Sequence, residues 1–171
     1  MRLSRQVPVG GVTKPELLLR LARAGVELND AARALFADPR FVMAEEATLL
    51  QCVETDLREL GLRDGGTFAR ALEAAAYAGL SVAPLELGPQ LRLILVDQAE
   101  GLVGFPSTQH RAPPGSITIA SAPLDEEEET PKGFYLRRMD GKLWLRGYRS
   151  WPGHVWDAED RFVFVVARPR P

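Results

Sequence analysis

Asp140-Gly141 stands between two runs of alternating side chains, Gly133–Met139 and Lys142–Tyr148. An Asp-Gly pair in that setting dictates a two-residue β-hairpin, because a type I′ turn needs positive φ at both central positions. A loop that short also fixes the register. Met139 must face Lys142, Arg138 Leu143, Arg137 Trp144, Leu136 Leu145 and Tyr135 Arg146, with Phe134 opposite Gly147.

Side chains alternate across a strand, so the pairs sort onto two faces. Phe134, Leu136, Leu143 and Leu145 share one, with Arg138 near the turn, and that face is expected in the core. Tyr135, Arg137, Met139, Lys142, Trp144, Arg146 and Tyr148 share the other, which is aromatic and cationic and carries no carboxylate. Arg137–Trp144 and Tyr135–Arg146 are expected to be opposed at cation–π distance.

Arg149, Trp151, His154 and Trp156 follow, so all three tryptophans fall between positions 144 and 156. Tryptophan and arginine are the residues enriched in binding hot spots. The expected function is therefore a non-enzymatic binding or interaction module. Its contact residues would be Tyr135, Arg137, Trp144, Arg146, Tyr148, Arg149, Trp151 and Trp156. Two other readings stay open: the face only stabilises the sheet, by about 0.2–1 kcal/mol per cross-strand pair, or another part of the chain covers it.

Charge suggests the partner. Residues 130–171 hold nine basic and four acidic side chains, while residues 90–129 hold two basic and seven acidic, five of the latter in the run 125–129. Such a run belongs in a solvated loop, placed here at 122–132, or folds back on the basic third. An acidic protein segment, including the same run of a second copy, is the expected partner, with a small ligand as a further option. The chain's net charge of -2 makes it no polycation. Single-stranded nucleic acid, stacked on the aromatic face, is an alternative for which weak or no binding at physiological salt is expected.

His154 is the one histidine set among carboxylates, Asp157 and Asp160. A hydrolase or metal-dependent enzyme centred there is the alternative from another class, with His154 as base and Asp157 or Asp160 as orienting group or metal ligand. Only His110 could add a second imidazole. The plainer reading has Asp157 capping a helical turn with Asp160 inside it. The single cysteine, Cys52, sits in an apolar run and reads as a buried thiol. Glu45, Glu46, Glu54 and Asp56 read as solvated surface. Gly10-Gly11 and Gly65-Gly66 are not phosphate loops, and no nucleotide, zinc-protease or thiol-redox motif occurs, so no cofactor and no metal is expected.

The rest of the chain sets the fold class. Thr13 to Glu16 has the form of a capping box, followed by Leu17, Leu18 and Leu21 at helical spacing and a stop at Gly25. Asn29 or Asp30 caps a second helix that ends before Pro39. Residues 47–54 fit a strand or a helix equally. Residues 55–60 read as one helical turn closed by Gly61, and Thr67 as the cap of an alanine-rich helix over 68–78 that should lie against a sheet. Residues 90–96 alternate and read as a strand, as do 116–121, and 161–168 reads as a central strand buried on both faces. The expectation is a single α+β domain, helix-rich over 1–80 and strand-rich over 81–171, with N-terminal helices packed on a largely antiparallel C-terminal sheet. Neither a secretory signal nor a membrane-spanning run is read, so cytoplasm is the expected location and a membrane is not an expected partner.

Overall fold

The computed structural model describes residues 3–102 and 112–167. His110 and the end of the predicted last strand at Arg168 lie outside them. The elements run β1 (Leu3–Val9), α1 (Lys14–Arg23), β2 (Glu27–Leu28), α2 (Asp30–Ala37), β3 (Thr48–Asp56), β4 (Gly66–Thr67) and α3 (Phe68–Tyr77). They continue with β5 (Leu80–Ser81), α4 (Leu87–Ile94), β6 (Ile117–Ile119), β7 (Gly133–Met139), β8 (Lys142–Tyr148), β9 (Val155–Trp156) and β10 (Arg161–Val166). One large sheet has the order β1-β3-β10-β6-β7-β8-β2, with β5 beside β10, and β4 pairs with β9 separately.

The class is α+β, but the sheet is mixed rather than largely antiparallel. β10 runs parallel to β6, and β2 parallel to β8. Strands also open the chain. β1 escapes sequence reading because Ser4, Arg5, Gln6 and Pro8 dilute its apolar pattern, as suits an edge strand whose outer amides need no partner. Residues 47–54 resolve as β3, which lies between β1 and β10. That position pairs both its edges, and Cys52 to Thr55 are buried. Glu54, expected in solvent, is 5% exposed and pairs with Arg161.

Residues 90–96 are not a strand. Residues 90–94 are the last part of α4 and Leu95 is its C-cap, with Leu87, Leu91 and Leu95 buried at i, i+4 spacing. The Leu91, Leu93, Leu95 alternation is compatible with either period, and packing decides between them. Gly88 lets α4 press onto the hairpin: a Cβ there would lie 2.8 Å from that of Phe134. Arg92 is carried inside with this helix and is fully buried. It donates to Gln98 Oε1 at 2.5 Å, and Gln98 Nε2 in turn donates to the carbonyls of Gly115 and Leu136. Desolvation, with Arg138 nearby, lowers its guanidinium pKa to about 10.

β10 organises the interior as expected. Val163 and Val165 join a core under α1, α2 and α4, while Phe162 and Phe164 join a second one under α3. Ala71 and Ala75 are the buried contacts of α3. The predicted caps form: Thr13 and Glu16 make a reciprocal box, and the Asn29 and Thr67 side chains accept from Ala32 and Arg70. The turn after β3 closes at Gly61, whose N–H donates to the Arg58 carbonyl. Among the described residues no helix is long and apolar enough to cross a membrane.

The hairpin has the dictated register, with Arg137 opposite Trp144 and Phe134 opposite Gly147. Asp140 and Gly141 hold φ of 51° and 72°. Phe134, Leu136 and Leu145 are fully buried. At Gly147 the start of α2 rests on β8: Asn29 donates to the Gly147 carbonyl at 3.0 Å and accepts its N–H at 2.8 Å. A Cβ at Gly147 would lie 2.6 Å from the Ala31 carbonyl carbon. Because backbone cannot yield as a side chain can, Gly147→Ala should cost about 1–3 kcal/mol. Urea unfolding should show the lowered midpoint, and an unchanged midpoint would contradict the α2–β8 contact.

Candidate functional site

Trp144, Arg146 and Tyr135 form the strand-borne part of the aromatic face. The Arg146 guanidinium sits 5.9 Å from the Tyr135 ring centroid, as the register requires, and 5.1 Å from that of Trp144. Arg137 faces Trp144 across the ladder, but its guanidinium donates elsewhere, from Nε to the Pro114 carbonyl and from Nη2 to that of Leu102, both at 3.1 Å. Arg149 Nε donates to the Glu129 carbonyl at 2.8 Å, with the Glu129 carboxylate 3.8 Å away. Each of these arginines therefore already has an intramolecular contact.

The aromatic file continues past the end of β8. Tyr135 lies 6.5 Å from Tyr148, and Tyr148 meets Trp156 edge-on at 5.7 Å and 90°. His154 is wedged between Trp151 and Trp156, at 5.1 and 4.7 Å. Trp156 also contacts Phe162 of β10 at 5.2 Å, which ties the file to the second core. Exposure rises along it: Trp156 is 6% exposed and Trp151 50%. Burial pushes the Tyr148 phenol well above its ordinary pKa.

Where the file opens there is a groove of about 380 Å³. Phe68, Ala69 and Leu72 of α3 form one wall; Tyr148, Trp151 and Trp156 form the other. Val82, Ser121 and Pro123 floor it, and Glu126 and Lys132 stand at its polar end. Two of the lining residues, Trp156 and Ser121, each hold an atom, Nε1 and Oγ, that is buried away from solvent and has no hydrogen-bond partner among the described residues. A second depression of about 570 Å³ lies between the start of α1 and the loop before β3. Its polar groups are already matched: Thr13 and Glu16 cap each other, and Lys14 Nζ donates to the Asp38 carbonyl.

Backbone and carboxylate contacts hold the groove's tryptophan wall. β9 pairs Trp156 with Gly66. Gly65, at φ 74°, has no room for a side chain, because a Cβ there would collide with the Trp156 carbonyl oxygen. Asp160 is 6% exposed and binds the turn before β10. Its Oδ2 accepts the Asp157 N–H at 2.8 Å and its Oδ1 the Ala112 N–H at 3.1 Å. Residues 157–160 thus form a tight turn, closed by the Asp160 N–H on the Asp157 carbonyl at 3.1 Å, with the Asp160 carboxylate reaching back to the Asp157 N–H. Among the described residues, no group of three or more His, Cys, Asp or Glu side chains is placed to hold a metal. Cys52 is buried, and desolvation raises its thiol pKa to about 11.

The acidic run closes the polar end of the groove. Asp125 is its anchor: it pairs with Arg40 at 2.7 Å and accepts from Thr130. The hydrogen bond from Arg40 is the main cause lowering the Asp125 pKa, and the same guanidinium takes Asp38 down to about 2. Lys132 Nζ donates to the carbonyls of Asp125 and Glu127 at 3.0 and 2.5 Å. Glu126, Glu127 and Glu128 are exposed and make no ion pair among the described residues.

The structure thus gathers Tyr148, Trp151 and Trp156 at one groove and leaves Tyr135, Arg137, Trp144 and Arg146 along the sheet face. Sequence reading misses the α3 wall, Phe68 and Leu72, because nothing local says which face of that helix looks toward the hairpin. It also misses Glu86, whose buried carboxylate accepts the Gly10 and Ala44 N–H groups at 2.9 and 3.2 Å. No protein-family model, no curated protein and no solved structure matches this chain, so the site must be read from its own chemistry. Asp160→Ala should strip two amides of their acceptor, at about 1–3 kcal/mol for each left unsatisfied. Thermal unfolding should register the loss together with a shift in tryptophan emission; a variant with unaltered melting and emission would contradict the role given to Asp160.

Proposed function

We propose that this protein is a binding module whose working surface is the groove between α3 and the end of the hairpin, and that it takes a small, largely apolar ligand. The observation that carries the proposal is the aromatic, predominantly apolar lining of this cleft. Ligand sites are typically concave, mainly apolar and provided with a few placed polar groups, in volumes of about 300–1,000 Å³. Phe68, Tyr148, Trp151 and Trp156 supply the apolar walls.

An acidic protein segment gripped by the arginines is less well supported. Arg137 and Arg149 already donate to backbone carbonyls, and Arg146 is stacked on two rings. Capturing a carboxylate would first require breaking those contacts.

The neutral dye Nile red, flat and apolar, is a suitable probe. It should bind with saturable fluorescence enhancement, and Trp151→Ala should weaken binding about tenfold, since burying or losing an indole is worth roughly 1.4 kcal/mol or more. Trp144→Ala, outside the groove, should leave the affinity within about twofold, well inside the thermal scale of binding differences. Equal affinity for the wild type and Trp151→Ala would overturn the proposal.

A further inference from the structure

We infer that Asp140–Gly141 is a site of covalent isomerisation, where the aspartate passes through a succinimide to an isoaspartyl linkage, and that Glu100 holds the site in its normal form.

The chemistry needs an aspartate followed by a residue that does not crowd the intervening amide, and glycine, lacking a Cβ, crowds it least. The chain has two such pairs, Asp64-Gly65 and Asp140-Gly141. At the second, the Gly141 nitrogen bonds to Asp140 Cγ, and the amide proton leaves with the carboxyl hydroxyl as water. Water then re-enters the cyclic imide. Attack at Cγ restores the aspartate. Attack at the main-chain carbonyl breaks its bond to the Gly141 nitrogen and routes the chain through Cβ and Cγ. One water leaves and one returns, so the change needs no oxidant, reductant or cofactor.

The nucleophile is the Gly141 nitrogen after loss of its proton, and both residues of the turn are exposed to water. That N–H is donated to Glu100 Oε1 at 3.1 Å. The other carboxylate oxygen, Oε2, lies 3.2 Å from Arg138 Nε, and the Gly101 N–H donates to the Arg138 carbonyl at 2.8 Å. Arg138 of β7 therefore anchors both the side chain and the backbone that present Glu100 to the turn. A carboxylate acceptor opposes cyclisation in two ways. It retains the amide proton in a charge-assisted hydrogen bond, and its negative charge disfavours an amide anion beside it.

Asp64-Gly65 is restrained differently. Gly65 is buried, and its N–H donates to the Leu62 carbonyl within its own turn. It is thus an internal reference, sensitive to loosening of the fold but not to Glu100. The hairpin pair carries the larger consequence. An isoaspartyl linkage adds a carbon to the main chain of a two-residue turn, and the register of β7 on β8 depends on that length.

The full-length wild type, Glu100→Ala and Glu100→Gln should be aged at neutral pH in heavy-oxygen water, and both Asp-Gly pairs followed by peptide mass spectrometry. Each opening of the imide takes up one solvent oxygen, so the label counts passages through it, and fragmentation separates isoaspartate from aspartate. In the folded wild type Asp140 should label several-fold more slowly than in urea. Glu100→Ala should raise labelling and isoaspartate at Asp140 several-fold and leave Asp64 unchanged. Glu100→Gln, which keeps the side chain's length and an acceptor oxygen, should raise Asp140 by less. Labelling of Asp140 as fast in the folded wild type as in urea would overturn the inference. So would an unchanged Asp140 in Glu100→Ala, or a rise shared equally by Asp64 in both variants.

Discussion

Asp140 and Gly141 both hold positive φ, at 51° and 72°, and the rest of the architecture depends on the register this turn imposes. A slip of one residue would exchange the two faces of the hairpin. Leu136 and Leu145 would leave the first core, and Gly147 would no longer lie beneath the start of α2, where only a residue without a Cβ fits. Phe134 would no longer meet Gly88, so α4 would lose its seat. The same register delivers Tyr148 to the opposite face, beside Trp156. One tight turn therefore settles both how the helices pack and where the aromatic file emerges.

The file has two halves with different chemistry. Along the strands, the Arg146 guanidinium lies over the Tyr135 and Trp144 rings, and Arg137 is held by carbonyls of the segments beside it. That half has the character of sheet reinforcement. Beyond β8 the rings diverge from the sheet, because β9 pairs with β4 and Asp160 draws the following turn inward. The divergence leaves space against α3, where the apolar groove opens.

What the sequence could reveal follows from the range of the determining forces. Turn chemistry, caps and strand register are local, and Asp140-Gly141, Thr13-Glu16 and Asn29 could be read directly. The two-sided burial of β10 was legible because Phe162 to Val166 leaves no polar face. Residues 90–96 misled because a run rich in leucine satisfies two periods at once, and only the seat of Gly88 on Phe134 selects the helix. Glu54 reads as surface by residue type and Glu86 carries no local signal, yet long-range partners, Arg161 and the amides of Gly10 and Ala44, hold them inside. The site divided in the same way. Its tryptophan wall was visible as a cluster from 144 to 156, whereas its α3 wall exists only through a contact between segments about eighty residues apart in the chain, a separation at which loop closure carries no local sequence signal.

The central claim is positional: the open end of the aromatic file, rather than the arginine-bearing sheet face, is where this protein meets its ligand. A crystal structure of the chain grown with Nile red tests it directly. The account predicts electron density for the ligand against Trp151, Trp156 and Phe68. Density instead beside Arg137 and Arg146, with the groove empty, would contradict it.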